Sequence, residues 1–271
     1  MVEKVLISGS GSGLGKAMAI HYAKKGAEVC ISDINVEAGE EVARSIVDAG
    51  GKAFFIECDI TKQWDVDKLA LTLAEKWQSL DMLVNNAGVA SAGLLESESM
   101  EQWQWVLEIN VLGHIRMSKA FLPLLKASTA EDKCVINIAS QAGITPAPGM
   151  GSYNLSKAAM VSFSETIYLE LAPMNIHVSV VCPAFFETNL STSLRTEQAG
   201  LGDFVTKMIK ESGVSAEHIA EIISKEVADK KFMIITHKDG RKTHRLKRYL
   251  PIERYLKIMK QRTRKFAEAF S

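Results

Sequence analysis

The sequence predicts an α/β fold: a doubly wound sheet of about seven parallel strands with helices on both faces. Three observations carry this expectation. Seven short apolar runs alternate with helical segments of 12 residues or more whose apolar side chains recur every three or four positions. The runs lack the apolar/polar alternation of a half-exposed strand, as befits parallel strands covered on both faces. The first run feeds directly into a glycine-rich turn and then a helix, the beginning of a strand–crossover–strand unit.

In chain order the strands are expected at Lys4 to Ser8, Glu28 to Asp33, Ala53 to Asp59, Met82 to Asn85, Lys133 to Ala139, His177 to Val181 and Phe232 to Thr236. Helices are expected at Lys16 to Lys25, Val36 to Ala49, Lys62 to Gln78 and, as one long element, Met100 to Ala127. From Pro251, an acceptable first helical residue, Ile252, Tyr255, Leu256, Met259, Phe266 and Phe270 fall on one stripe with cations between them, which predicts a basic amphipathic helix. No repeat, low-complexity stretch or long linker divides the chain. The simplest partition is one domain over residues 1–237 and a basic, partly helical C-terminal extension over 238–271.

An apolar content of 47%, a charged content of 24% and six prolines in 271 residues are those of a globular chain and exclude collagen-like, disordered and disulfide-scaffold classes. No apolar run is long enough to span a bilayer, and Val5-Leu6-Ile7 is too short for a signal-peptide core, so a cytoplasmic location is expected. Cys30, Cys58, Cys134 and Cys182 are widely spaced and sit in or beside apolar runs, which predicts reduced, half-buried thiols and no metal site. The formal net charge of zero conceals an asymmetry. Residues 238–271 hold twelve Lys/Arg against Asp239, Glu253 and Glu268, so the remainder of the chain is net acidic.

The chemistry begins at Gly9-Ser10-Gly11-Ser12-Gly13-Leu14-Gly15, between a strand and a helix. Backbone amides and a helix N-terminus there can face a pyrophosphate, with no Cβ to obstruct it. Asp33 closes the second strand about 20 residues later, where a carboxylate accepts hydrogen bonds from an adenosine ribose and repels a 2′-phosphate. Ser12 and Ile34 are uncharged where a phosphate-binding cation could stand, so NAD is favoured over NADP. An ordinary turn or helix-cap role is the alternative for Asp33.

The spacing Gly9-x-x-x-Gly13-x-Gly15 resembles the short-chain dehydrogenase/reductase family, single-domain type, and further motifs follow in order from about residue 4 to residue 190. Asp59-Ile60 ends the third strand, Asn85-Asn86-Ala87-Gly88 the fourth, Asn110 lies in the long helix, Ser140 ends the fifth strand, and Tyr153-x-x-x-Lys157 follows. The resemblance implies a Rossmann fold and a cofactor site of Gly9, Ser12, Gly13, Leu14, Gly15, Asp33, Asp59, Ile60, Asn86, Ala87, Gly88, Tyr153, Lys157, Pro183, Phe186 and Thr188. It implies catalysis by Asn110, Ser140, Tyr153 and Lys157, with Asn110 positioning a water in a proton relay.

A phenol with a pKa near 10 needs a nearby positive charge to exchange a proton near neutrality. Lys157, one helical turn from Tyr153, is expected to supply it, making Tyr153 the general acid/base while Ser140 holds the substrate oxygen. Cys182-Pro183-Ala184-Phe185-Phe186-Glu187-Thr188 resembles the family's nicotinamide loop, with Ala184 where a glycine is usual, which leaves the loop's shape open. In the following segment, 189–213, Leu190, Leu194, Leu201, Phe204 and Met208, together with Ile144, Met150, Phe185 and Phe186, either line an apolar pocket or pack a lid onto the body.

The expected function is hydride transfer between NAD(H) and an alcohol/carbonyl pair of a lipophilic small molecule. A non-catalytic dinucleotide sensor or scaffold working through its basic tail is the alternative. A homo-oligomer, dimer or tetramer, is expected. The tail docks on the acidic body or a second subunit, or lies on a membrane surface, which would make the protein peripheral; nucleic acid is disfavoured.

Overall fold

The structure, a computed structural model, describes residues 2–188, 193–196, 198 and 200–270, the side chains of 265–270 excepted. Seven strands, β1 (Lys4–Ser8), β2 (Glu28–Asp33), β3 (Lys52–Glu57), β4 (Met82–Asn85), β5 (Cys134–Ile138), β6 (His177–Val181) and β7 (Met233–Ile234), form one parallel sheet in the order β3-β2-β1-β4-β5-β6-β7. After β3 the chain returns to the other side of β1. The crevice beyond the carboxyl ends of β1 and β4 is therefore the topological switch point, the place where such sheets bind ligands.

The helices are α1 (Gly13–Lys24), α2 (Val36–Asp48), α3 (Gln63–Trp77), α4 (Met100–Leu107), α5 (His114–Ala127), α6 (Gln141–Ile144), α7 (Gly151–Leu171), α8 (Leu201–Lys210), α9 (Ala216–Ala228), α10 (Lys238–Tyr249) and α11 (Ile252–Phe270). Alternate residues of β1 divide the core. Val5 and Ile7 pack with α1, α2 and α9, and Leu6 with α3, α5 and α7, so both faces are apolar and the strand reads as an unbroken hydrophobic run. A polar thread crosses this core at matched register. Asn85 Nδ2 donates to Asn137 Oδ1 (2.8 Å) and to Ser118 Oγ (2.9 Å), and Asn137 Nδ2 donates to Ser164 Oγ (2.9 Å), tying β4, β5, α5 and α7 together.

Four expectations are corrected. The first helix begins at Gly13, because the glycine turn itself forms its first turn. The element expected at Met100 to Ala127 is α4 and α5 joined by a π-helical turn, Glu108–Gly113. The seventh strand is two residues long, since pairing with β6 involves only Met233 and Ile234. The four free thiols are fully buried. Helix α10 precedes the helix expected from Pro251; its sequence has almost no apolar stripe, and contacts with residues about a hundred positions earlier hold it instead. Gln141 Nε2 donates to Gly240 O (3.4 Å) and Lys247 Nζ to Ile144 O (2.7 Å). No helix among the described residues is long and apolar enough to cross a membrane.

Candidate active site

The turn after β1 is shaped by backbone crowding. Gly9 has φ +64°, and a Cβ there would stand 2.6 Å from Ala87 Cα; a Cβ on Gly15 would strike Gly9 O and lie 2.5 Å from Asn86 Nδ2. Both positions admit only glycine without movement of the β1 and β4 ends. Asn86 staples those ends: its Nδ2 donates to the Ser8 and Gly9 carbonyls, both at 2.9 Å, and Ser8 Oγ accepts from the amides of Asn86 (3.1 Å) and Ala87 (3.2 Å).

A cleft of about 610 Å³ opens along this switch point. Its walls include Gly9, Ser12, Gly13, Leu14, Asp33, Asp59, Ile60, Asn86, Ala87 and Gly88 at one end and Ser140, Tyr153, Lys157, Pro183, Phe186 and Thr188 at the other. Asp33 couples to the glycine turn: Oδ2 accepts the Gly11 amide at 2.8 Å and Oδ1 the Asn35 amide at 2.9 Å. Ile34 beside it is exposed. Partial burial works to raise the pKa of Asp59, but the hydroxyl and amide of Thr61 and the Lys62 ammonium hold it below its ordinary value.

Two of the expected residues stand behind the wall. Gly15 packs under the turn, and Asn110, fully buried in the π-helical turn, spends its whole side chain on neighbours. Its Oδ1 accepts the Val89 amide (2.9 Å) and its Nδ2 donates to Val89 O (3.0 Å) and Ser156 Oγ (3.1 Å). That side chain thus fixes the loop after β4 to α7, and the local widening of the helix accommodates it.

Tyr153 and Lys157 share a face of α7, both buried. Ser140 caps α6, its Oγ accepting the Ala142 amide (3.1 Å) and reaching the Tyr153 phenol. Lys157 Nζ lies 5.7 Å from the Tyr153 ring centroid and donates to Ile138 O at 3.0 Å. The expectation that Lys157 draws the phenol toward neutrality does not hold for the protein alone. Burial raises the Tyr153 pKa above its ordinary value despite the Ser140 hydrogen bond, and burial pushes the Lys157 ammonium itself down to about 8.

The loop after β6 accommodates Ala184 without strain, since it is not among the residues at positive φ, and its amide donates to His237 Nδ1 (3.2 Å). Of the apolar residues expected in the pocket, Met150, Phe185 and Phe186 line the cleft. Leu201 packs with Ala92, Val205, Ile209 and Leu194. Phe204 and Met208 point outward on α8, and the adjacent stripe, Val205 and Ile209, faces the cleft instead. Ile144 belongs to a separate cluster with Met160 and Val180. Leu190 lies outside the described residues.

Sequence reading missed a buried network under Tyr153. Glu98 receives hydrogen bonds from the Ser152 hydroxyl, the Ser152 amide (3.3 Å) and Gln102 Nε2 (3.0 Å), and Ser91 and Ser152 share a hydrogen bond of 2.5 Å. A carboxylate from 54 residues earlier thus satisfies the N-terminus of the helix that carries the tyrosine. It also missed His114, whose Nε2 donates to Ala87 O (2.6 Å); burial and the Lys157 charge push it down to about 3, so it is neutral. Neither set has a short-range sequence signal.

A sequence model of the short chain dehydrogenases matches residues 3–199. The chain belongs to the short-chain dehydrogenase/reductase family. Among its relatives, the CLA biosynthesis dehydrogenase/reductase of Lactiplantibacillus plantarum is 30% identical over 254 residues, covering 87% of this chain and 88% of the relative. The 3-oxoacyl-[acyl-carrier-protein] reductase of Synechocystis is 33% identical over 197 residues, covering 72% and 78%. The crystal structure of a short-chain dehydrogenase/reductase from Burkholderia phymatum in complex with NAD superposes with a TM-score of 0.85 at 30% identity, covering 91% of this chain and 93% of that one. The seven-stranded Rossmann sheet is the fold these proteins share, and this family member is an oxidoreductase of the NAD(P)-dependent type.

Proposed function

We propose that this dehydrogenase/reductase transfers a hydride between NAD(H) and the alcohol/carbonyl pair of a lipophilic small molecule, with Tyr153 as general acid/base. The observation that carries the reading is one continuous cleft with Asp33 and the glycine turn at one end and Ser140, Tyr153 and Lys157 at the other. A dinucleotide fits this chain: a glycine-rich turn, with Gly9 and Gly13 on the cleft wall, leads into the N-terminus of α1, where phosphates are stabilised, and about 610 Å³ lies within the range of roughly 300–1,000 Å³ typical of small-molecule sites. Bound at this site, the nicotinamide group supplies or accepts the hydride and, when oxidised, brings a positive ring.

Gly9, Ser12, Gly13, Leu14, Asn86, Ala87 and Gly88 would hold the dinucleotide along the switch point, Asp59 and Ile60 its adenine end, and Pro183, Phe186 and Thr188 the nicotinamide end. Asp33 would take ribose hydroxyls and disfavour a 2′-phosphate, which supports NAD over NADP. Tyr153, protonated in the free protein, would donate its proton to a carbonyl oxygen in reduction and accept it in oxidation. Ser140 would hold that oxygen in place, Lys157 would stabilise the phenolate as it forms, and Asn110 would act through the β4 loop and α7 that it fixes.

The substrate end supports a lipophilic ligand. Trp105, Ile109, Met150, Phe185, Val205 and Ile209 line it, and among the described residues the charged ones bordering the cleft are Asp33, Asp59 and Lys157, none supplied by helix α8. The test is a titration with NADH and NADPH followed by a panel of ketones and secondary alcohols of increasing apolar size. NADH preference with turnover that improves with apolar size supports the reading; cofactor binding without turnover of any carbonyl would favour the sensor.

A further inference from the structure

We propose that α10 and α11 seat the enzyme on an anionic lipid surface, with the rim of the substrate cleft beside the contact. The contact stands on surface chemistry alone; only its purpose, access to a membrane-dissolved substrate, rests on the lipophilic reading above. On helix α11 Tyr255 is buried, 2% exposed, whereas Ile252 and Leu256, one turn apart on the neighbouring stripe, are 48% and 56% exposed, and Tyr249 at the end of α10 is 79% exposed. Beyond this apolar edge stand Arg254, Lys257 and Lys260 on α11 and Arg245 and Arg248 on α10, all exposed. None of these five cations forms a salt bridge among the described residues.

An apolar stripe flanked by unpaired cations is the pattern of a helix lying in a bilayer interface. A second copy of the chain is a poorer occupant, because the core of a protein interface is depleted in charge and in lysine, and here three apolar side chains are interleaved with five cations. The placement is also directed. Through Gly240 and Lys247, α10 is hydrogen-bonded to Gln141 and Ile144, and His237 just before it accepts the amide of Ala184; Gln141 and Ala184 are cleft residues. The start of α10 is therefore tied to the cleft wall, to which Phe185, 38% exposed, also belongs.

The test uses the full-length chain and flotation with vesicles of phosphatidylcholine alone or mixed with phosphatidylglycerol, at low and high salt. Two variants accompany it, Arg245→Gln/Lys257→Gln/Lys260→Gln and Ile252→Ser/Leu256→Ser. All five side chains are exposed, and unchanged NADH affinity reports that both variants are folded whether or not any carbonyl substrate is turned over. Binding to the phosphatidylglycerol vesicles, release by salt, and a fall on the order of a hundredfold in the triple variant support the contact, with or without a further loss from the apolar pair. Failure to float at low salt, or flotation that the triple variant leaves unchanged, overturns it. If vesicles are not bound and the Ile252/Leu256 variant converts an oligomer into a monomer, the face belongs to a second copy.

Discussion

Replacing Lys157 with methionine should abolish turnover and yet make the protein more stable at neutral pH. The ammonium is fully buried, and its pKa falls from 10.5 to about 8. At about 1.36 kcal/mol per pKa unit, the folded state forgoes about 3 kcal/mol at pH 7 to keep that group charged. Methionine fills similar space without charge but leaves Ile138 O without the 3.0 Å donor it has now, a loss of about 1–2 kcal/mol. The variant should therefore gain about 1–2 kcal/mol at pH 7. Because the folded pKa lies below the unfolded one, the unfolded chain binds the extra proton between about pH 8 and 10.5. Wild-type stability from this group consequently rises with pH across that window. At about pH 9.5 the wild-type penalty has shrunk to about 1 kcal/mol, so the variant's advantage falls by about 2 kcal/mol and disappears. Urea unfolding of both proteins at the two pH values measures this difference directly, with other titrating groups cancelling between them. A variant less stable than wild type at pH 7, or a stability gap that does not move with pH, would refute the reasoning.

Three further outcomes are expected. Gly15→Ala should lower stability by about 1–3 kcal/mol and weaken NADH binding, because its Cβ has no room against Gly9 O and Asn86; denaturant midpoints and fluorescence titration check both. Asp33→Ala should narrow the preference for NADH over NADPH by on the order of a hundredfold, measured as the ratio of dissociation constants, by removing like-charge repulsion of a 2′-phosphate. Glu98→Ala should leave the Ser152 hydroxyl and amide and Gln102 without their acceptor, destabilising by about 2–3 kcal/mol; kcat should fall with little change in cofactor affinity, and Glu98→Gln should recover part of both losses.

The strands were legible because burial on both faces of a parallel sheet leaves an uninterrupted apolar run, and β1, β2, β4 and β6 fall where those runs do. Ser140, Tyr153 and Lys157 were legible because a strand end and one helical turn bring them together by local geometry. Elements stabilised by contacts distant in sequence were not. The π-helical turn exists because Asn110 reaches Val89 and Ser156, and α10 exists because Gly240 and Lys247 meet α6; neither interaction leaves a periodicity. On α8 the apolar residues occupy two adjacent stripes, and packing alone decides that Val205 and Ile209 face the cleft while Phe204 and Met208 do not. The direction of the Tyr153 pKa escapes the sequence for a similar reason: the spacing to Lys157 is visible there, whereas the burial that raises the phenol and lowers the ammonium is not.

The central claim, that Tyr153 exchanges the proton accompanying hydride transfer at an NAD(H) site, is tested most directly by comparing wild type with Tyr153→Phe for turnover of a ketone by NADH and for NADH affinity. The account predicts a kcat lower by about a hundredfold to ten-thousandfold, the worth of a positioned general acid, with the NADH dissociation constant unchanged. A Tyr153→Phe protein that reduces the ketone at the wild-type rate would contradict it.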